Sequence, residues 1–87
     1  MLINHNKWMN FAILQGLRSK GSTGKNPPVG CAIVKNDTLL SYGRTGKSGR
    51  PHAEEEAINN VLNKKSLTGS SMYVTLEPCA HKNNKGL

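Results

Sequence analysis

The chain has 87 residues, of which 36% are hydrophobic and 20% charged, and its formal net charge is +7. This length fits one small domain, below the usual ~100–150 residues, with a limited core. No apolar run approaches the ~18 residues of a membrane span, and the start, MLINHNKWMNF, lacks the features of a secretory signal. We therefore expect a cytoplasmic protein without a membrane segment.

The positive charge is compatible with two kinds of partner, nucleic acid and phosphorylated small molecules. The 12 lysines and arginines are scattered along the chain, and few aromatic residues lie among them. A nucleic-acid surface usually clusters such residues, so nucleic acid is not the expected partner. A solvated basic surface that attracts a phosphorylated small molecule fits better.

The first half of the chain predicts a helix followed by a hairpin. The apolar residues of 7–18 have helical spacing. Residues 19–28 follow and are rich in glycine and proline, which interrupt helices. Residues 29–42 read as two strands around the turn Asn36-Asp37, with Cys31 as a buried structural cysteine. A glycine-rich loop spans 43–51. The expected apolar face of the helix comprises Trp8, Phe11, Ala12, Ile13, Leu14 and Leu17.

The second half predicts another helix, from about His52 to Leu62, then a loop and a strand over 71–77. Glu54 lies on the same i, i+4, i+8 row as Ile58 and Leu62, so we expect it to face the sheet. The element order is that of an α/β protein with helices covering a sheet. The expected apolar stripe comprises Ala53, Ala57, Ile58, Val61 and Leu62.

Two motifs carry possible chemistry. An ionised Glu54 facing an apolar layer is costly without a partner, whereas Glu55 and Glu56 simply complement the helix dipole. His52 stands at the helix start, and Cys79 follows Pro78 at the start of a further element, where backbone N–H groups favour a thiolate. His-x-Glu followed by Pro-Cys is the layout of the zinc nucleobase deaminases.

Zinc chemistry accounts for these residue types. A neutral imidazole and thiolates bind Zn²⁺ and leave one position for water, whose pKa the metal lowers. A glutamate that is not a ligand then transfers the proton. The pattern predicts His52 and Cys79 as zinc ligands and Glu54 as the proton shuttle.

The segments NPPVGCAIV, GRPHAEEEA and YVTLEPCAH resemble the deaminase domain of the bacterial riboflavin-biosynthesis deaminase/reductases. The resemblance covers nearly the whole chain. It implies a cytidine deaminase-like three-layer α/β/α sandwich with a mixed central sheet, of which residues 1–87 would be the incomplete N-terminal portion. The implied activity is hydrolytic deamination of diaminohydroxyphosphoribosylaminopyrimidine, with Zn²⁺ as cofactor.

The resemblance also implies residues near the substrate, a phosphorylated pyrimidine. Asn26 would hydrogen-bond the pyrimidine, and the loop containing Thr45 and Lys47 would line the pocket. Lys47 and Lys85 are candidates to meet the phosphate. The implied substrate-binding set is Asn26, Thr45, Lys47, Ala53 and His81.

The resemblance places a second cysteine ligand after a loop about as long as AHKNNKGL, so we expect it just past Leu87. The whole protein is expected to be a homo-oligomer, and the presence of a C-terminal reductase domain is left open. With only His52 and Cys79 present, the 87-residue chain is expected to bind zinc poorly. Two other readings stay open: a tRNA adenosine or cytidine-type deaminase, and a catalytically silent deaminase fragment.

Overall fold

The computed structural model describes residues 4–21, 24, 28–75 and the backbone of 82–86. Two short 3₁₀ turns, Lys47–Gly49 and Lys64–Leu67, lie in the connections. Among the described residues, no helix has the length and apolar character needed to cross a bilayer. The helices and strands are α1 (His5–Arg18), β1 (Gly30–Lys35), β2 (Thr38–Arg44), α2 (Ala53–Asn59), β3 (Ser71–Thr75) and β4 (Lys82–Gly86).

Helix α1 begins slightly earlier than the sequence predicts, because Asn4 caps it. The Asn4 side-chain oxygen accepts a hydrogen bond from the Lys7 N–H at 3.0 Å. The buried face differs from the expected one: Leu14 and Leu17 are 59% and 40% exposed. The helix instead buries the row that ends at Gly16, where the absence of a side chain permits close contact with the backbone around Gly30.

The predicted hairpin is confirmed as β1 and β2, with β2 extending to Arg44. Asn36 and Asp37 both have positive φ, at 52° and 57°. Two consecutive left-handed residues match the twist of a two-residue hairpin turn. The Asp37 carboxylate also accepts a hydrogen bond from the Trp8 indole N–H at 2.7 Å, which ties this turn to α1.

The sheet has the order β2-β1-β3-β4, and all its described strand pairs are antiparallel. The expected mixed pairing is therefore not seen among the described strands. Strands β2 and β3 do run in the same direction, but β1 lies between them and pairs with both. Helix α2, which connects β2 to β3, thus returns the chain to the end of the sheet where β2 started.

The two faces of the sheet carry separate helices, which confirms the predicted α/β/α layers. Helix α2 packs on the face that presents Cys31 and Ile33, and both residues are completely buried. Helix α1 packs on the opposite face, against Ala32 and Val34. Strand β1 is covered on both sides, which agrees with its continuous apolar sequence.

Helix α2 is shorter than predicted. It ends at Asn59, and Leu62 is fully exposed at 102%. The buried row is Ala53, Ala57 and Val61. Glu54 and Ile58 lie beside this row on the helix and are only half-buried. Leu62 comes after the end of the helix and is exposed, so the expectation that it belongs to the apolar stripe is wrong.

Candidate active site at the start of helix α2

A closed loop leads the chain into α2. The Gly46 N–H donates to the Pro51 carbonyl at 2.9 Å, and the Gly49 N–H donates to the Gly46 carbonyl at 2.9 Å. A Cβ added at Gly46 would lie 2.1 Å from the Arg50 carbonyl oxygen, so only glycine fits this position. The loop therefore delivers the chain to His52 along a fixed path.

His52 is the N-cap of α2 and has an extended backbone, with φ −70° and ψ 152°. Its N–H donates to the Glu55 carboxylate at 3.3 Å, a contact that satisfies one of the free donors of the first turn. The His52 side chain is exposed. The backbone position of His52 is thus fixed, and its exposed imidazole remains accessible to a ligand.

Ala53 and Glu54 follow directly, and their environments differ sharply. Ala53 is completely buried in the α2-side core, whereas Glu54 is half-buried at the border of that core. Glu54 is therefore close to the apolar layer, as predicted, but beside the buried row rather than at its centre. The buried methyl group of Ala53 fixes the rotation of α2 and so sets the directions of His52 and Glu54.

Thr45, a predicted substrate contact, is 3% exposed and holds three parts of the chain together. Its hydroxyl accepts a hydrogen bond from the Val29 N–H at 2.8 Å, and its N–H donates to the Val29 carbonyl at 2.9 Å. Its own carbonyl accepts from the Ser19 hydroxyl at 2.7 Å. These bonds join the end of α1, the start of β1 and the active-site loop.

The remaining predicted residues divide into two groups. Lys47 is exposed in the loop that precedes His52, and Lys85 belongs to β4. Three predicted site residues, Asn26, Cys79 and His81, lie outside the described residues. Within residues 4–21, 24, 28–75 and 82–86, no group of three His, Cys, Asp or Glu side chains is arranged to hold a metal ion.

The donor set that the sequence supplies nevertheless suits zinc. Imidazole nitrogen and thiolate sulfur are the usual ligands of Zn²⁺ in proteins. His52 is the one proposed ligand among the described residues, and its side chain is accessible at the helix start. Three glutamates, Glu54 to Glu56, occupy the first turn, where carboxylates complement the helix dipole.

Gly43 positions the site, although the sequence reasoning did not single it out. A Cβ added there would lie 2.5 Å from the Ala53 carbonyl oxygen and 2.7 Å from the Ala57 nitrogen. Helix α2 thus rests directly on the backbone of β2. A glycine inside a strand pattern indicates a close backbone approach, and this signal was present in the sequence.

A family model described as the cytidine and deoxycytidylate deaminase zinc-binding region matches residues 2–82. Among curated relatives, the riboflavin biosynthesis protein RibD of Aquifex aeolicus is 39% identical over 74 residues, which are 85% of this chain and 20% of that protein. The diaminohydroxyphosphoribosylamino-pyrimidine deaminase of Buchnera aphidicola is 40% identical over 85% of this chain and 49% of its own length.

Solved structures give the same result. RibD of Acinetobacter baumannii matches with a TM-score of 0.75 and 44% identity, over 91% of this chain and 22% of that one. The Thermotoga maritima deaminase/reductase, whose full name is diaminohydroxyphosphoribosylaminopyrimidine deaminase/5-amino-6-(5-phosphoribosylamino)uracil reductase, matches with a TM-score of 0.75 and 37% identity, over 91% and 23%. The chain thus spans about a fifth of the length of the RibD proteins that it matches.

Proposed function

Because the chain belongs to the cytidine and deoxycytidylate deaminase zinc-binding family, we propose that it forms part of a hydrolase acting on diaminohydroxyphosphoribosylaminopyrimidine. The reaction replaces the ring amino group by oxygen from water and releases ammonia. Relatives named for riboflavin biosynthesis and for this deaminase support the choice of substrate. The proposed setting is the cytoplasm, without nucleic acid or membrane as a partner.

One observation carries the proposal: His52 and Glu54 flank a fully buried Ala53 at the first turn of α2. Burial of this alanine against the sheet fixes which face of α2 turns to the core, and therefore the directions in which the Cα–Cβ bonds of His52 and Glu54 leave the helix. A ligand side chain and a proton carrier both require such fixed geometry.

Each residue then has a separate task. His52 and Cys79 would hold the zinc ion, which supplies an activated water at neutral pH when it is bound. Glu54 would accept a proton from the attacking water and deliver it to the ring nitrogen, and it would then carry the second proton of that oxygen to the amino group, which leaves as ammonia. Asn26, His81 and the exposed Lys47 would orient the phosphorylated pyrimidine.

The test uses the full-length gene product loaded with zinc. Ammonia release is measured with the phosphorylated diaminopyrimidine and, separately, with cytidine and deoxycytidylate. The proposal expects rapid release from the first substrate and little from the other two. Release only from cytidine or deoxycytidylate would reject the proposed substrate while keeping the deaminase chemistry.

The role of Glu54 needs a matched pair of variants. Glu54→Gln should lower kcat by about 10²-fold or more, the usual contribution of a general acid–base group, while the zinc content stays the same. Glu55→Gln keeps an oxygen that can cap His52 and should retain most activity. Loss of zinc in Glu54→Gln would make Glu54 a ligand or a structural residue and would end the shuttle assignment.

A further inference from the structure

A cavity outside the proposed deaminase site lies where β2 forms the edge of the sheet. Its volume is about 170 Å³. At about 30 Å³ per water molecule, it has room for a small tetrahedral ion together with one or two waters. None of its lining residues belongs to the predicted zinc or pyrimidine site. They come from α1, β2 and α2, and are Gln15, Arg18, Tyr42, Arg44 and Glu56.

Gln15 is the buried member of the cavity wall, with only 5% of its surface exposed. Among the described residues, no fully buried side-chain nitrogen or oxygen lacks a hydrogen-bond partner, and none of their hydrogen bonds involves the Gln15 amide, so this amide still reaches solvent through the cavity. The amide therefore offers a donor and an acceptor to a molecule in the cavity.

The charged members of the wall also lack partners. Arg18 and Arg44 are exposed and Glu56 is half-buried, and no ion pair or side-chain hydrogen bond of the three is found among the described residues. Arg18 and Arg44 belong to different elements but line the same small volume. Two guanidinium groups around one cavity favour an oxyanion, because their planar sets of N–H donors match paired oxygens.

The carboxylate of Glu56 determines which oxyanions can bind in the cavity. Glu56 is half-buried, and its Cβ lies 3.0 Å from where a Cβ on Gly43 would stand, so α2 holds it close to the sheet. A carboxylate repels an anion without protons but accepts a hydrogen bond from one that keeps a proton. Inorganic phosphate retains a P–OH group at neutral pH, whereas sulfate has none. A phosphate monoester, with a second pKa of about 6, has mostly lost its proton.

We propose that this cavity binds inorganic phosphate, at a site separate from His52 and Glu54. Arg18 and Arg44 hold the anionic oxygens, Gln15 donates a hydrogen bond from its amide, and Glu56 accepts one from the P–OH group. The exposed Tyr42 borders the opening. The proposal does not depend on the deaminase assignment.

Isothermal titration calorimetry at constant ionic strength and neutral pH provides the test, with inorganic phosphate, sulfate and methyl phosphate titrated into the purified full-length protein. Phosphate is expected to bind saturably and about tenfold more tightly than either of the others, the value of one charge-assisted hydrogen bond. Absence of saturable phosphate binding, or equal affinity for sulfate, would overturn the proposal. Equal affinity for methyl phosphate would show that the cavity accepts phosphate monoesters as well as inorganic phosphate, and it would also overturn the proposal.

Variants separate this site from general charge attraction. Arg44→Gln should weaken phosphate binding about tenfold or more, while Lys65→Gln removes the same charge from an exposed position and should change it less than about twofold. Equal effects of the two variants would exclude the site. Glu56→Gln should remove the preference for phosphate over sulfate, and an unchanged preference would refute the role of the carboxylate.

Gln15→Met gives an independent signature. It should weaken phosphate binding but leave the melting temperature of the phosphate-free protein nearly unchanged, because the Gln15 amide meets solvent in the cavity and makes no hydrogen bond within the described part of the chain. A drop in melting temperature would contradict the proposed role of this amide. If Arg44→Gln does not fold, as judged by circular dichroism, the sulfate comparison on the unmodified protein and the Glu56→Gln variant still decide the outcome.

Discussion

Tyr73 in β3 contacts His5 at the start of α1 through its hydroxyl group. Its hydroxyl lies 2.6 Å from His5 Nδ1, and its side chain is 1% exposed. Burial, and secondly the negative charge of Asp37, raise the pKa of Tyr73 above its ordinary value. The folded protein therefore holds the phenol proton more tightly than the unfolded chain does.

This difference predicts how stability depends on pH. The contribution of Tyr73 is fully present below pH 10.0, the ordinary pKa of tyrosine, and is lost as the pH rises through the higher pKa of the folded state. Tyr73→Phe should cost about 1 kcal/mol near neutral pH, the value of one hydrogen bond. The gap between the two proteins should shrink above pH 10.0.

Urea denaturation over a series of pH values measures this gap. All other groups are common to both proteins, so their contributions cancel in the difference. Tyr42→Phe removes a hydroxyl from a side chain that is 47% exposed and serves as the control. A gap between wild type and Tyr73→Phe that stays constant across pH 10.0 would show that the raised pKa has no effect on stability.

At the scale of elements, α2 decides how much of the site was predictable. Its start could be read from the sequence, because His52 precedes a run of carboxylates that suits a helix N-terminus. The stripe that contains the buried Ala53, Ala57 and Val61 could be read as well, but its centre could not. The rows through Ala53 and through Glu54 are adjacent on the helix and both continue into apolar residues, so only packing against Gly43 distinguishes them.

Gly43→Ala tests this packing. The new methyl group would overlap the backbone of α2, at 2.5 Å from the Ala53 carbonyl oxygen, so the helix must shift. We expect a loss of about 1–3 kcal/mol, as for overpacked cores, together with lower zinc affinity, because His52 moves with the helix. Chemical denaturation and zinc titration of the full-length protein measure the two effects.

Gly69→Ala is the matched control for that variant. Gly69 has a positive φ of 80°, and the nearest atom to an added Cβ is a side-chain carbon of Lys35 at 3.9 Å. It should cost about 1–2 kcal/mol of backbone strain, as for a left-handed non-glycine residue, and leave zinc affinity unchanged. Equal zinc affinities in the two variants would show that the contact between Gly43 and α2 does not influence the zinc site.

In the part of the chain that the structure describes, two apolar clusters lie on opposite faces of one sheet and are joined through β1. Helices covering a sheet could be predicted from apolar periodicity, and the three-layer arrangement from the resemblance to the deaminase family. The strand order could not, because pairing β3 with β1 depends on contacts between residues as distant as Cys31 and Val74. Such pairings leave no local pattern in the sequence.

Ile33→Ala tests whether the two clusters form one cooperative unit. Ile33 is completely buried on the α2 side, and its truncation should cost about 2–5 kcal/mol. Trp8, the single tryptophan of the chain, lies in the other cluster. Its fluorescence should nevertheless lose its native signal at the same, lower urea concentration as the circular dichroism signal, because small domains unfold as a unit.

Leu62→Ala removes the same kind of aliphatic group from a side chain that is 102% exposed, and it should leave the midpoint nearly unchanged. Separate fluorescence and dichroism midpoints in Ile33→Ala would mean that the α1 and α2 sides unfold independently.

The placement of β1 between β2 and β3 has a consequence for folding kinetics. The β1–β2 hairpin closes through two turn residues and can form early, whereas β3 must return across the whole α2 crossover to pair with β1. Cys79, the other proposed zinc ligand, comes after β3 in the sequence, so the proposed ligand pair with His52 is not complete before that pairing. Zinc should therefore bind late in folding and accelerate none of the earlier steps.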